Sequence, residues 1–441
     1  MNSTLPRMMN RSRKVLVLGR DTRTILAIAR SLGRRNIEVH VGWCLATAPA
    51  LRSRFVRCVH AIGEYSPQRT NWSKALRALV IEEEFDLVIP ATEAAACALH
   101  RHRDQFADHP AFYFLEQRAF EIVFDKQRTY ALAEQLRIPV PATRIMTAAS
   151  LAGEPLTDVV FPAVVKPCAS ARDGDIGNKD FARTVNDMAE MYDHVELLLR
   201  HAPEVLVQEH FTGAGVGVEL IADRGKILSA FQHRRLHETI GFGSTYRTAE
   251  ALSPALLEAS QRLMNSLQYT GVAMVEFRVD PSTGAWVMLD INGRFWGSLP
   301  LAVAAGADFP YYLYQLLVEG QRTISQDYQC GVRCRDLSAD IRFALSSLRP
   351  KKAPNVSNEA TLGWSVNRAS HWQLLCDTVR GLTLKDHVDS FAVDDPRPAF
   401  YELCQLAATT LGWLGGKLRT SWQKIPLRQQ HRHHTSDVPA S

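Results

Sequence analysis

The sequence lacks a long apolar run. Its first one, Val15–Leu18, is too short for the core of a signal peptide, and the 14 residues of 403–416 fall short of the roughly 20 that a spanning helix needs. It also lacks a Cys-x-x-Cys pair, since its eight cysteines are scattered, and Cys330 and Cys334 have no second pair to complete a metal site. We therefore expect reduced thiols and a cytoplasmic protein.

No sign of charge dominates the chain, but the charges are unevenly placed. Of the 441 residues, 46% are apolar and 22% are charged, which is typical of folded proteins and unlike disordered ones. Residues 1–35 hold nine Lys or Arg and one acidic residue, and residues 412–441 hold five Lys or Arg and one acidic residue. The middle of the chain, 36–411, holds 37 Lys or Arg and 44 acidic residues. An acidic body with two basic ends excludes a uniformly basic nucleic-acid binder.

A dinucleotide-binding fingerprint is absent as well. Alternating apolar strands and helices in the first quarter of the chain indicate a parallel sheet. The strands are predicted at 14–19, 37–43 and 85–90, and the helices at 22–32 and 74–84. Only Gly19 follows the first strand, where the fingerprint needs three spaced glycines, so a nicotinamide or flavin enzyme is disfavoured. Thr92 and Glu93 follow the third strand, at the edge where such sheets bind ligands.

After residue 124 the pattern changes to paired strands joined by marked turns. Asp223–Gly225 and Pro281–Gly284 are both typical of hairpins. Strands are predicted at 161–166, 205–209, 218–222, 226–233, 271–280 and 285–291, and helices at 125–136, 184–200, 252–268 and 299–320. The glycines at 213, 215 and 217 are interpreted as a further turn.

The second hairpin carries the densest group of chemically active residues. Glu276 and Asp290 lie in facing strands, and Asn292 shares a face with Asp290 because side chains alternate along a strand. Two carboxylates and an amide oxygen suit a hard cation such as Mg²⁺, and without one the two acids would repel each other. The alternative is a solvent-facing salt bridge of Arg294 with one acid.

Two lysines add positive charge of the kind that binds phosphate. Lys166 ends an apolar strand and precedes the glycine-containing stretch 169–179. Lys126 opens a helix, where the helix dipole also favours an anion. For each lysine alone, a surface role is the alternative. Together with Arg294 and the acids, they are better explained by one triphosphate-binding site than by unrelated surface charges.

In their order along 14–325, these segments resemble the ATP-grasp superfamily of carboxylate–amine or carboxylate–thiol ligases. The segments are Asp125-Lys126, Ile138–Pro141, Val164–Pro167, Gln208–Gly213, the pair Glu276 and Asp290, and Asp290–Arg294. Gly293–Ser298 is similar to the form found in free-standing carboxylate–amine ligases of the superfamily. The resemblance implies α/β and α+β architecture, with an N-terminal parallel-sheet domain, a two-lobed ATP-grasp fold and a mainly helical C-terminal extension.

The resemblance also implies an activity and its cofactors. It implies a ligase that uses ATP and Mg²⁺ (or Mn²⁺) to activate a carboxylate as an acyl phosphate, which an amine or thiol then attacks. Arg294 and Lys166 would be catalytic, with Arg294 stabilising the transferred phosphoryl group. Nucleotide contacts would come from Lys126, Lys166, Gln208, Glu209, Phe211, Ser170, Gly174 and Gly177, and metal contacts from Glu276, Asp290 and Asn292.

Two positions depart from the family pattern. Asp290 stands where a glutamate is usual, and its shorter side chain makes bridging of two metal ions harder. The phosphate loop has only Gly174 and Gly177, so polar residues such as Ser170 and Asn178 would share the phosphate contacts. Neither change removes a charge that the chemistry needs, and we therefore expect ATP use to be retained.

Candidate substrate contacts follow from charge and position. They are Arg234, Arg235, His233 (with His237 as an equal choice), Glu93 and Asp21. The arginines could hold a substrate carboxylate through a bidentate fork, and the histidine could act as base for the incoming amine. The alternative for 231–238 is a solvated basic turn.

The C-terminal region ends in a helix predicted from Ala399. Basic residues follow it at Lys417, Arg419, Lys424 and Arg428. Either this helix packs on the ligase body, or 399–430 contact an anionic lipid surface or an acidic partner. The cluster His431–His434 is interpreted as a solvated tail rather than a metal site.

These inferences divide the chain into a disordered arm (1–13), an N-terminal α/β domain (14–124), an ATP-grasp domain (125–326) and an extension with a basic tail (327–441). We expect small-molecule carboxylate and amine substrates, no nucleic acid, and a homodimer. The rival function is a non-catalytic nucleotide-binding or regulatory protein of ATP-grasp fold, docked in one version on a membrane through its C-terminal helix.

Overall fold

The computed structural model describes residues 12–63, 65, 71–151, 153, 158–168, 182–239, 243–341 and 385–414. The predicted phosphate-loop residues Ser170, Gly174, Gly177 and Asn178 lie outside the described residues. So do most of the predicted arm and all the basic and histidine-rich residues after position 414.

The first quarter of the chain forms a parallel α/β unit, as predicted. Its strands are β1 (Lys14–Leu18), β2 (Glu38–Gly42), β3 (Val56–His60) and β4 (Leu87–Pro90), in sheet order β3-β2-β1-β4. Its helices are α1 (Thr22–Gly33), α2 (Asn71–Glu83), α3 (Glu93–Arg101) and α4 (Gln117–Val123). Strand β1 is apolar on both faces because one face packs with α1 and the other with α2 and α3. The carboxyl ends of β1 and β4 therefore face the rest of the molecule together.

A small antiparallel sheet follows the α/β unit. Its strands are β5 (Thr143–Thr147), β6 (Ala163–Pro167), β7 (Arg183–Val185) and β8 (Glu204–Glu209), in order β5-β8-β6-β7. The helices in this part of the chain are α5 (Lys126–Gln135), α6 (Ala148–Leu151) and α7 (Met188–Leu199), of which α6 and α7 share a core with the sheet. The predicted helix start at 184 is wrong, because Arg183–Val185 pairs with β6 as an edge strand and the Asp187 side chain caps α7.

A seven-stranded sheet completes the body. Its strands are β9 (Ala214–Asp223), β10 (Lys226–Thr239), β11 (Gly243–Glu250), β12 (Gly271–Val279), β13 (Trp286–Asn292), β14 (Arg333–Arg335) and β15 (His387–Val388), in order β13-β12-β9-β10-β11-β14-β15. The accompanying helices are α8 (Pro254–Leu267), α9 (Leu299–Ala305), α10 (Phe309–Leu317) and α11 (Arg397–Leu414). The helix predicted over 299–320 is thus two helices, because Gly306, at φ +103°, ends α9 in the left-handed region.

The predicted glycine turn before β9 is also wrong. Gly215 and Gly217 lie inside β9, opposite side chains of β10. A Cβ atom at Gly217 would collide with the His233 ring, and one at Gly215 would collide with Glu238 and Arg235. The glycines therefore make room for three polar side chains that lie across the strand.

The C-terminal segment packs on the first unit rather than extending away. The buried Arg30 of α1 donates to Asp395 at 3.0 Å, and Arg335 of β14 pairs with Asp386 at 2.7 Å. Helix α11 contacts the turn at Pro49–Arg52, where the Arg52 guanidinium lies 4.5 Å from the centre of the Tyr401 ring. This part of α11 follows the first alternative, a helix on the body. Within the ranges given above, no helix has the length and apolar character needed to cross a bilayer.

Candidate active site

Glu276 and Asp290 face each other in the register of β12 and β13, as the hairpin predicts. The Asn292 side-chain amide donates to Glu276 Oε1 at 3.0 Å, and Arg235 Nη2 lies 2.9 Å from Glu276 Oε2. Burial acts to raise the pKa of Glu276, but Arg235, with His233 and Lys126, outweighs it and holds the pKa below its ordinary value. Glu276 is therefore ionised at neutral pH, in an electropositive setting.

Lys126 contacts the other carboxylate of the hairpin. Its ammonium lies 2.5 Å from Asp290 Oδ2, and the Ile291 amide donates to Asp290 Oδ1 at 3.0 Å. The Asp125 carboxylate caps α5 by accepting from two backbone amides, which places Lys126 at the first position of the helix. Burial alone would lower the pKa of Lys126, but Asp290 and Glu93 raise it above its ordinary value. The lysine thus carries its charge at the opening of a helix.

Lys166 has neutral hydrogen-bond partners. Its ammonium donates to the Tyr130 hydroxyl at 2.7 Å and to Gln208 Oε1 at 2.9 Å, while Gln208 Nε2 donates to Thr143 at 2.7 Å. Burial, followed by the nearby Lys126, lowers the pKa of Lys166 to about 8. Among the described residues no carboxylate forms an ion pair with it, so its charge is available to an anion.

The contact between Arg294 and Glu93 places the α/β unit beside Lys126 and Asp290. Arg294 Nη2 lies 3.7 Å from Glu93 Oε2, and its Nη1 donates to the Phe295 carbonyl at 2.7 Å. Glu93 opens α3 directly after β4, at the strand end where the sequence predicts ligand binding. A pocket of about 250 Å³ is lined by Glu93, Phe124, Lys126, Asp290, Asn292 and Arg294.

A larger apolar cleft adjoins this pocket. It spans about 660 Å³, part of which is open to solvent, and it shares Phe124, Gly293 and Arg294 with the polar pocket. The His100 ring stacks on Phe120 at 3.6 Å between centres along the same cleft. The two cavities therefore place a charged end and an apolar end side by side.

Other predicted substrate residues lie elsewhere. Arg234 points away from Arg235, because side chains alternate along β10, and its Nε lies 2.5 Å from Glu250. His233 is 1% exposed, with Nδ1 2.9 Å from Glu219 Oε1, so it has no access to an incoming amine. Asp21 caps α1 and accepts from the Thr24 hydroxyl at 2.6 Å.

The alternative of a solvated basic turn for 231–238 is wrong. The segment is part of β10, and His237 is buried with Nδ1 2.7 Å from Asp340 Oδ1. At the end of β8, Glu209 is exposed and Phe211 is partly buried beyond it. Their predicted contact with the adenine base stays a prediction.

Sequence reasoning missed Tyr130 as a member of the site. Its hydroxyl donates to the Leu289 carbonyl at 2.8 Å and accepts from Lys166, and it thereby joins α5 to β13 and β6. Tyr130 lies four positions after Lys126, on the same face of α5. That spacing is the signal from which it could have been predicted. Arg235 was predicted as a substrate contact, but in the structure it contacts the metal-type acid Glu276.

Comparison with known proteins gives one family match and several related folds. Residues 201–339 match the model of a family described as ATP-grasp in the biosynthetic pathway with Ter operon. No curated protein matches the chain significantly.

Three solved structures illustrate the similarity of fold. An L-amino acid ligase from Bacillus licheniformis shares 15% identity over 70% of this chain and 75% of its own, with a TM-score of 0.50. The N5-carboxyaminoimidazole synthetase of Staphylococcus aureus, complexed with ADP, shares 15% over 75% and 83%, with a TM-score of 0.55. The biotin carboxylase domain dimer of Hydrogenobacter thermophilus 2-oxoglutarate carboxylase shares 15% over 73% and 73%, also at 0.55. Residues 201–339 thus match an ATP-grasp family model, and 70–75% of the chain has a fold similar to that of these three enzymes.

Proposed function

We propose that the chain is an ATP- and Mg²⁺-dependent ligase that activates a substrate carboxylate as an acyl phosphate and couples it to an amine or a thiol. The observation that carries this proposal is that Lys126, Asp290 and Asn292 line one pocket. Glu276 accepts a hydrogen bond from Asn292, and Lys166 donates to Tyr130 on the same helix as Lys126. Residues from α5, β6, β12 and β13 would not be expected to meet by chance beside Glu93, which follows β4 at the carboxyl edge of the parallel sheet. The ATP-grasp fold supports carboxylate ligation in general.

The donor set fits a hard divalent cation. Glu276, Asp290 and Asn292 offer two carboxylates and an amide oxygen, the ligands that Mg²⁺ prefers. Both carboxylates contact cationic side chains, Arg235 and Lys126, so a metal ion would compete with these contacts for the carboxylate oxygens. When bound there, Mg²⁺ would neutralise charge on the phosphate oxygens and orient the transferred group.

The lysines and Arg294 supply the remaining positive charge of the mechanism. Lys126 and Lys166 hold the phosphates, and Arg294 stabilises charge on the γ-phosphoryl group as it moves. The substrate carboxylate oxygen forms a bond to the γ-phosphorus, and the bond to the bridging oxygen breaks to release ADP. The amine nitrogen then attacks the acyl carbon, loses a proton and displaces phosphate.

The apolar cleft supports a substrate whose carboxylate is attached to an apolar or aromatic group. Its walls include the stacked rings of His100 and Phe120, while Arg294 lies where it meets the polar pocket. Such a substrate would present its carboxylate to Arg294 and bury its apolar part away from water. A cytoplasmic homodimer completes the proposal, and the biotin carboxylase domain of similar fold, which is a dimer, supports its oligomeric state.

The decisive experiment measures ADP and phosphate release with ATP, Mg²⁺ and a panel of aromatic and aliphatic carboxylates with amino acids, polyamines and thiols. Hydroxylamine added to the reaction converts an acyl phosphate to a hydroxamate, which mass spectrometry identifies together with the carboxylate. We expect Glu276→Gln to abolish turnover with the fold intact, and Glu258→Gln, at an exposed position on α8, to leave it unchanged. If ATP binds with Mg²⁺ but no combination of substrates yields ADP, the regulatory function replaces the ligase.

A further inference from the structure

A second group of potential ligands lies on the first sheet, outside the cleft just described. It consists of His40 on β2 and of Cys58 and His60 on β3, and the ligand atoms of the three residues lie within 4.8 Å of one another. His40 Nδ1 is 2.8 Å from His60 Nε2. Two imidazole nitrogens at this distance share one proton, so one lone pair points at the other residue.

An irregularity in the sheet brings these side chains to one face. Val39 pairs with Val56, but the next residue, His40, pairs with Cys58, so Arg57 is passed over. Because of this bulge, Cys58 and His60 lie on the face of His40 instead of the valine face that packs with α1. Without the extra residue, alternation would have turned both side chains into the apolar core.

His40 is buried and one of its nitrogens is not hydrogen-bonded. The side chain is 4% exposed, and within the described part of the chain its Nε2 has no hydrogen-bond partner. The closest carboxylate, Glu38 on the same face of β2, has an oxygen 3.8 Å from that nitrogen. Burial, and then His60, lowers the pKa of His40 to about 4, so the ring is neutral at neutral pH, as a metal ligand must be.

We propose that His40, Cys58 and His60 form a binding site for a transition-metal ion of the Zn²⁺ type, with Glu38 orienting His40 through its Nε2. Two imidazoles and a thiolate are borderline-soft ligands that prefer Zn²⁺ to Mg²⁺. Zinc–nitrogen bonds of about 2.0–2.1 Å put the two ring nitrogens roughly 3.3 Å apart in a tetrahedral site. Metal binding would therefore move the two nitrogens apart by about 0.5 Å from the observed 2.8 Å and turn both rings, whose centres lie 5.0 Å apart, until their lone pairs converge on the ion.

The arrangement of the site gives it an outer carboxylate and an open side. Metal-bound histidines commonly donate their second N–H to a carboxylate, and Glu38, with an oxygen 3.8 Å from His40 Nε2, would take that role by moving closer. Cys58 and His60 are only partly buried on the edge strand β3, so the fourth position is left to water. A bound ion would therefore fasten the edge strand β3 to β2.

The test titrates the full-length chain with Zn²⁺ against a chromophoric chelator and records Co²⁺ spectra of the same protein. Because His431, His433 and His434 could also bind metal, all three are replaced by Gln in the starting chain. We expect one Zn²⁺ per chain, and a thiolate-to-Co²⁺ charge-transfer band that Cys58→Ser removes and Cys330→Ser, at an exposed cysteine, leaves in place. If the chain with these three Gln substitutions binds no Zn²⁺, the proposal is overturned.

Ligand and control substitutions quantify the site. His40→Gln should weaken Zn²⁺ binding by at least roughly 100-fold and Glu38→Gln by roughly 10-fold, whereas His201→Gln, on the surface after α7, should have no effect. Equal affinities in folded His40→Gln and His201→Gln proteins would contradict the assignment. Should the substitutions at the cluster prevent folding, the unmodified chain still decides. Zn²⁺ should then protect Cys58, but not Cys330, from alkylation in peptide mass spectra, and equal labelling of Cys58 with and without Zn²⁺ would overturn it.

Discussion

Lys126 and Asp290 form an ion pair of 2.5 Å between residues 164 positions apart in the chain. The pair joins the Asp290 carboxylate, which we assign to the metal, to the Lys126 ammonium, which we assign to a phosphate. Any phosphate that approaches Lys126 therefore competes with Asp290, and a cation beside Asp290 relieves that competition. Binding of nucleotide and of metal should consequently be coupled through these two side chains.

The first prediction concerns Asp290→Asn. Without the carboxylate, Lys126 is released to bind phosphate, so in the presence of a chelator this variant should bind ATP about tenfold more tightly than the unmodified protein. In Mg²⁺ its turnover should be lost, because a metal ligand is missing. Isothermal titration with and without Mg²⁺ measures both effects, and Glu258→Gln controls for the change in net charge. Weaker ATP binding without metal would disprove the competition.

The second prediction concerns Lys166→Ala. Loss of a charge-assisted contact to phosphate should cost about 1.5–3 kcal/mol, or roughly 10- to 150-fold in ATP affinity. The matched control is Lys74→Ala, an exposed lysine on α2, which should leave the affinity unchanged. Equal affinities of the two variants would remove Lys166 from the phosphate site.

The third prediction follows from the pKa of about 8 at Lys166. Only the protonated ammonium attracts phosphate, so ATP affinity should fall as the pH rises through 8, by up to tenfold per pH unit above it. Binding at pH 8.5 should take up a proton, which titration calorimetry in buffers of different ionisation enthalpy detects. Lys166→Arg keeps its charge throughout this range, and its affinity should not fall. The same decline in both proteins would assign the titration to another group.

The fourth prediction separates two neighbouring aspartates of the C-terminal segment. Asp395 is 1% exposed and accepts from Arg30, Ser53 and the Arg54 amide, whereas Asp394 forms a half-exposed pair with Arg34. Asp395→Ala leaves Arg30 buried without its counter-charge and should cost about 3–5 kcal/mol of unfolding free energy. Asp394→Ala should cost about 1 kcal/mol or less. Urea unfolding measures the free energy of unfolding of both variants. Similar losses would show that the buried pair stabilises the fold no more than the half-exposed pair does.

Local patterns in the sequence were sufficient for much of the fold. The apolar run of β1 and the turn at Pro281–Gly284 predict a parallel strand and a hairpin, and the period of two predicts that Glu276 faces Asp290. These features depend on residues close together in the chain. The confirmed architecture follows from them, while the domain boundaries stay predictions.

The remaining contacts depend on distant parts of the chain. Nothing in the neighbourhood of Arg235 reveals that it contacts Glu276, since a basic residue in a polar stretch is equally typical of a solvated turn. The glycines of β9 look like turn residues until the side chains of β10 lie over them. Likewise, the sequence around Asp395 does not reveal its partner Arg30, which lies 365 positions away on α1.

The contacts of residues 385–395 join the C-terminal segment to α1 near the start of the chain and to β14. Arg30 of α1 and Arg335 of β14 both form ion pairs with acids from this last stretch, Asp395 and Asp386. A peptide bond cut between residues 341 and 385 would thus leave two fragments joined by buried ion pairs and by the pairing of β14 with β15. The nicked protein should migrate as one particle until it is denatured, and the shorter fragment should restore stability to the longer one when added in trans.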